Sequence, residues 1–201
     1  MRFDEGSFLN LLREPRRDPG GGSTAAFTVL VALSLAEKVC VLEIARAKGK
    51  RDDQKYLNNL LDRLRTKSKS CWSLVERDVV AYEKLSASIK RGLNWPGNYE
   101  MVLEAIDCPH TIMLVAIDSF QLISEIGHAC SLWLIPDLLV TLELARASGH
   151  GAYHIAMFNL DYIEELKARQ SKEDQLELSL RKSERRYLRV LESLKSRQIP
   201  S

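Results

Sequence analysis

With 201 residues and a net charge of +2, the chain is long enough to bury a substantial core and too balanced in charge for a dedicated nucleic-acid binder. Its four cysteines stand far apart without a Cys-x-x-Cys pair, which reads as reduced thiols in a cytoplasm rather than a disulfide or zinc framework. No internal repeat, low-complexity segment or useful strand-like alternation is present, so an all-α fold is expected, one domain over residues 1–201. It should be a bundle of about six to eight helices.

The first helix is expected from Phe8 to Arg13, capped by Ser7 and ended by Pro15. Arg16, Arg17 and Asp18 then lead into Pro19-Gly20-Gly21-Gly22-Ser23. Three consecutive glycines let another group approach the main chain closely. Ser23 reads as the N-cap of a second helix reaching about Lys48, so the loop would bring unpaired backbone N–H groups and a positive dipole end to one point. That suits a carboxylate or phosphate, a capped turn being the plainer alternative. The lysine of a nucleotide-binding P-loop is missing.

From Thr24 to Ala36 this helix is almost wholly apolar, yet Glu37 and Lys38 interrupt it before a bilayer could be crossed. No membrane partner is therefore expected. A helix so poor in polar faces needs neighbours all round, and a second copy of the chain is the natural source of one of them.

A long helix should follow from about Asp52 to Ile89, its apolar positions stepping by three and four through Tyr56, Leu60, Leu64, Cys71, Val75, Tyr82, Leu85 and Ile89. Asp78 falls on the same stripe. A carboxylate on a core-facing stripe must be paired, hydrogen-bonded or placed in a ligand pocket. Asp78 is thus a candidate functional residue, with a structural hydrogen bond or interface ion pair as alternatives.

After the turn-rich Gly92–Asn98 stretch come a short helix, about Tyr99 to Ile106, and another opened by Pro109. Pro136 should open a further helix with Asp137 in its first turn, where an acid is ordinary capping. That helix is expected to stop near Gly149-His150-Gly151, with a new one starting at Ala152. A last amphipathic helix should run from Lys172 to about Arg197, capped by Ser171. His150 and His154 stand four apart, but no His-Glu-x-x-His is present and no metal site is expected.

Pro19-Gly20-Gly21-Gly22-Ser23 resembles a segment of the cyclodeaminase/cyclohydrolase family of folate enzymes. The likeness continues through Glu76-Arg77-Asp78-Val79-Val80-Ala81-Tyr82, which is similar to the family's Asp-Ala-x-Ala-Phe, and Ile135-Pro136-Asp137-Leu138-Leu139-Val140, which is similar to Ile-Ser-Asp-Val-Gly-Val. In the same register, Gly151-Ala152 and Phe158-Asn159-Leu160 fall on Gly-Ala and Ile-Asn-Leu. The chain departs from the family where Gly-Asn-x-Asn is replaced by Cys130-Ser131-Leu132-Trp133, Ser by Pro136, and Asn-Val-Arg by Ile155-Ala156-Met157.

The resemblance implies a homodimeric enzyme acting at N5 and N10 of tetrahydrofolate, either a methenyltetrahydrofolate cyclohydrolase or a formiminotetrahydrofolate cyclodeaminase. Asp78 and Asp137 would be the catalytic carboxylates. Gly20, Gly21, Gly22, Ser23 and Asn159 would bind substrate, and Arg16, Arg17, Lys48 and Lys50 would meet a glutamate tail. No metal or redox cofactor is implied. Two other readings stay open: a family member that has lost its chemistry and binds folate or helical partners, and a helical scaffold without a small ligand.

Overall fold

The computed structural model describes residues 5–15, 18–47, 49–92 and 97–197. Among these, six helices and two short 3-10 turns are formed: α1 (Glu5–Arg13), α2 (Gly21–Arg46), α3 (Arg51–Arg91), α4 (Asn98–Ala129), α5 (Ile135–Asn159) and α6 (Leu166–Ser196). The chain is an all-α bundle. Arg16, Arg17 and Lys48 lie outside the described residues.

The apolar α2 is the central element, packing against α3, α4 and α5 while α6 closes over α4 and α5. Its Val29, Ala32, Leu33, Ala36, Val39 and Cys40 are fully buried. Truncating such a leucine in a close-packed core typically costs about 2–5 kcal/mol. By length and composition α2 can cross a membrane, with a mean hydropathy of 2.0, and its helix runs past the Glu37-Lys38 interruption. Half of that apolar stretch is buried in the bundle. The remaining side is not covered: Val31, Val41 and Leu42 are exposed, as is Val140 on the neighbouring α5.

Four expected boundaries are corrected. Pro109 does not start a helix but lies inside the continuous α4. Gly149 and Gly151 do not end one, because α5 runs straight through them with Gly149 facing Ala116 and Gly151 facing Ala25. Tertiary packing on two sides overrides the weak helix propensity of glycine, worth only about 1 kcal/mol per residue. Ser7 and Ser171 lie within α1 and α6, not at their caps.

Charge placement agrees with the helix dipole of α3, which has Asp52 and Asp53 in its first turn and Lys90 and Arg91 in its last. The Ser88 hydroxyl donates to the Asn98 side chain, tying the end of α3 to the start of α4. Phe8, fully buried, stacks on Phe27 with ring centroids 4.6 Å apart and so fastens α1 beside the first turns of α2.

All four cysteines are buried and free. Burial pushes the Cys40 and Cys108 thiols up to about 12 and Cys71 to about 11, so these three stay protonated at neutral pH and offer no ready nucleophile.

Candidate functional site

The glycine loop, α3 and the end of α5 enclose a cleft of about 680 Å3, a volume suited to an organic ligand of cofactor size. One end is made by Asp18, Gly20, Gly21, Gly22 and Asp78, and the walls by Tyr82, Leu85, Ile89, Ile155 and Phe158. A larger, shallower depression of about 750 Å3 lies between α3, α4 and α6. Its cations are already engaged, Arg63 with Glu125 and both Lys67 and Arg186 with Asp118. We therefore place the candidate site in the cleft.

Local sequence explains how the loop is held. The N-cap of α2 is Gly20, not Ser23. Ser23 occupies the third helical position and reaches back, its Oγ accepting the Gly20 N–H at 3.0 Å, the reciprocal half of a capping box. The anion expected at this helix start is supplied by the protein itself. The Ser23 backbone N–H favours the ionised form of Asp78, joining α3 to the positive end of α2, while the Ser23 hydroxyl donates to the Gly20 carbonyl at 3.1 Å.

That approach is possible only because residue 22 has no side chain. A Cβ on Gly22 would stand 2.1 Å from Asp78 Oδ1 and 2.6 Å from its Cγ. Gly21 is less constrained, since a Cβ there would meet the tip of Ile155 at 3.0 Å.

Asp78 is 9% exposed. Burial pushes its pKa up to about 6; the polar groups of Ser23 oppose this, and nearby Asp18 adds to it. A carboxylate held at the inner end of a cleft with a pKa near 6 is largely ionised at neutral pH yet basic enough to take a proton. It can equally balance a cationic ligand.

Asn159 also lines the cleft, and one hydrogen of its amide nitrogen is committed. Nδ2 donates to the Ala105 carbonyl at 2.8 Å. In an unbroken helix that carbonyl would receive the N–H of residue 109, which proline lacks. Asn159 supplies the missing donor, and among the described residues its Oδ1 makes no hydrogen bond. That oxygen and the second Nδ2 hydrogen are available to a ligand.

The structure brings Gly20, Gly21, Gly22, Ser23, Asp78 and Asn159 together and leaves Asp137 and Lys50 elsewhere. Asp137 begins α5 while Ile155, near its end, faces Gly21, a separation of roughly 27 Å along the helix. Its partner is Lys38, at 3.5 Å, and its side chain is 37% exposed. Lys50 is at the opposite end of α2 from the glycine loop, in a separate depression with Glu43 and Arg46.

The segment that departs from the Gly-Asn-x-Asn pattern has its own network near that end. Glu43 accepts from the Ser131 hydroxyl at 2.6 Å, and the Arg46 guanidinium lies 3.8 Å from the centre of the Trp133 ring. Sequence reasoning missed Lys90, which lines the outer part of the cleft. On periodicity alone it reads as an ordinary cation in the last turn of a helix.

The profile of the family described as formiminotransferase-cyclodeaminase matches residues 5–178. The chain belongs to this family. A crystal structure of formiminotetrahydrofolate cyclodeaminase from Thermotoga maritima is similar to the chain with a TM-score of 0.85, covering 97% of each chain at 22% identity. That likeness shows the fold. No curated protein matches.

Proposed function

We propose that this protein acts on the one-carbon bridge between N5 and N10 of a tetrahydrofolate, as a methenyltetrahydrofolate cyclohydrolase or a formiminotetrahydrofolate cyclodeaminase. The observation that carries the reading is Asp78, an almost buried carboxylate held by Ser23 against Gly22 at the end of an otherwise largely apolar cleft. The family membership supports the same substrate class.

In the hydrolytic reaction, water adds to the methenyl carbon of the N5–C–N10 amidinium cation, and Asp78 accepts the proton that water loses. The tetrahedral adduct then breaks its bond to N5, which takes that proton back, while the adduct's hydroxyl loses its own proton to solvent and becomes the carbonyl of the 10-formyl compound. The overall reaction consumes one water and releases one proton. In the deaminating reaction, N10 adds to the formimino carbon and ammonia departs, with Asp78 moving a proton toward the leaving nitrogen. The carboxylate also offsets the positive charge of the amidinium in either direction. Neither route calls for a metal or redox cofactor.

The active form in this reading is a homodimer. Ser148 donates to the Ala25 carbonyl at 2.7 Å and Lys38 pairs with Asp137, so α2 and α5 run antiparallel side by side. Val31, Val41 and Val140 give this pair an exposed apolar face that a second copy would cover. A twofold axis near Val31 and Leu144 would carry Asp137 of each copy toward the other copy's glycine loop.

A binding protein without catalysis is the second reading. It is favoured by the distance between Asp137 and the cleft within one chain, and by the engagement of Trp133 and Ser131 in their own network. Absorbance-monitored hydrolysis of methenyltetrahydrofolate, and conversion of the formimino substrate, separate the readings when run with Asp78→Asn and Asp137→Asn. Turnover lost in Asp78→Asn is expected. Folded wild-type protein that binds folate and turns over neither substrate would establish the binding reading instead.

A further inference from the structure

The cleft is elongated and its charges are segregated. One wall is a single face of α3, from Asp78 through Tyr82, Leu85, Ser86 and Ile89 to Lys90. Twelve residues of helix separate its two charged ends by about 18 Å. Acidic groups, Asp18 and Asp78, occupy the inner end; the side chains between are mainly apolar or aromatic; and a cation stands at the outer end.

Lys90 is the lysine of α3 that lines the cleft; among the described residues Lys55 and Lys69 are unpaired as well but lie outside it. Lys84 is held by Glu104 at 2.8 Å and Lys67 by Asp118 at 3.7 Å. Among the described residues Lys90 makes no ion pair or hydrogen bond, and it faces the cleft. Its neighbour Arg91 shares the last turn of α3 but is not part of the cleft wall. Favourable charge at the end of the helix dipole accounts equally for both residues and does not explain why one of them is turned to the cleft.

We infer that Lys90 is a specificity residue that takes a carboxylate at the far end of an elongated ligand, whose cationic one-carbon head lies at Asp78. This rests on the folate reading. The ligand then lies along α3, its bicyclic head at the glycine loop, its aryl stem between Tyr82, Leu85 and Phe158, and its amino-acid tail at Lys90. The tail cation is thus on α3, not on Lys50 at the opposite end of α2.

The test is calorimetric binding of 5-formyltetrahydrofolate and of the matching tetrahydropteroate that lacks the glutamate, to the wild type, Lys90→Ala, Lys90→Arg and Arg91→Ala. Lys90→Ala should weaken binding of the glutamate-bearing compound by about five- to tenfold, the size of one charge-assisted hydrogen bond in a partly open site. It should leave the tail-less compound unchanged, so that the two ligands bind the variant alike. Lys90→Arg should retain most of the discrimination, and Arg91→Ala all of it.

Equal weakening of both ligands by Lys90→Ala, or no weakening of either, would overturn the assignment while leaving the folate reading in place. Wild-type protein that binds neither compound would overturn the folate reading, and this inference with it.

Discussion

Asp78 occupies the space that a side chain at residue 22 would fill, since a methyl group on Gly22 would stand 2.1 Å from Asp78 Oδ1. The glycine loop therefore serves this protein less as an open anion cradle than as a seat for its own carboxylate. Gly22→Ala gains up to about 1 kcal/mol of helix propensity and loses about 1–3 kcal/mol to overpacking, so a small net destabilisation is expected. The larger effect is on function, because Asp78 must leave the Ser23 N–H. Folate binding or turnover should fall at least tenfold in Gly22→Ala, and much less in Gly21→Ala, which meets only the flexible tip of Ile155. Equal effects of the two changes would contradict this geometry.

The raised pKa of Asp78 has a defined consequence for stability. Its ordinary value is 3.8 and the folded value about 6, so the native state holds the proton more tightly than the unfolded chain. Stability attributable to this group is present below about pH 4 and is lost as pH rises to 6, by about 3 kcal/mol at most. Asp78→Asn removes the titration. Urea unfolding at pH 4, 5, 6 and 7.5 should show the variant gaining on the wild type between pH 4 and 6 and keeping that gain above it. Parallel profiles for the two proteins would show that Asp78 does not titrate in this window.

The exposed apolar face of α2 and α5 gives a test of the homodimer. Val31 and Val140 are 43% and 52% exposed, so replacing either with glutamate should cost an isolated chain little. In a dimer closed on that face, the same change buries an unpaired carboxylate. Sedimentation velocity at micromolar concentration should show the wild type as a dimer and Val31→Glu and Val140→Glu as folded monomers. A monomeric wild type, or variants that still dimerise, would refute the proposed interface.

Periodicity was enough to read α3 and most of α6, because their apolar stripes are long and regular, and it placed Asp78 on the inward face of α3; α2 was legible from its unbroken apolar run, and the first turns of α6, from Leu166, were not read. It misjudged Tyr82 and Ile89, which share that stripe yet are 41% and 39% exposed, since the face they join becomes the wall of the cleft. The breaks expected at Pro109 and Gly149-His150-Gly151 were local signals overridden by packing around α4 and α5. The separation of Asp137 from Asp78 was not legible at all, because the order of motifs along the chain does not tell which end of a long helix meets the loop.

Pro109 and Asn159 provide the last prediction. The proline leaves the Ala105 carbonyl without its helical donor, and Asn159 Nδ2 replaces that donor at 2.8 Å from the neighbouring helix. Asn159→Ala should destabilise the protein by about 1–3 kcal/mol, because a buried carbonyl loses a hydrogen-bond donor. In a Pro109→Ala background the residue 109 N–H is restored and can serve Ala105 itself, so the same Asn159→Ala change should then cost clearly less. Chemical denaturation of the four proteins completes the cycle, and a coupling of about 1 kcal/mol or more is expected for residues sharing one acceptor. Additive effects would mean that Asn159 acts independently of the proline, leaving its oxygen and second Nδ2 hydrogen in the cleft as the parts of the side chain that matter.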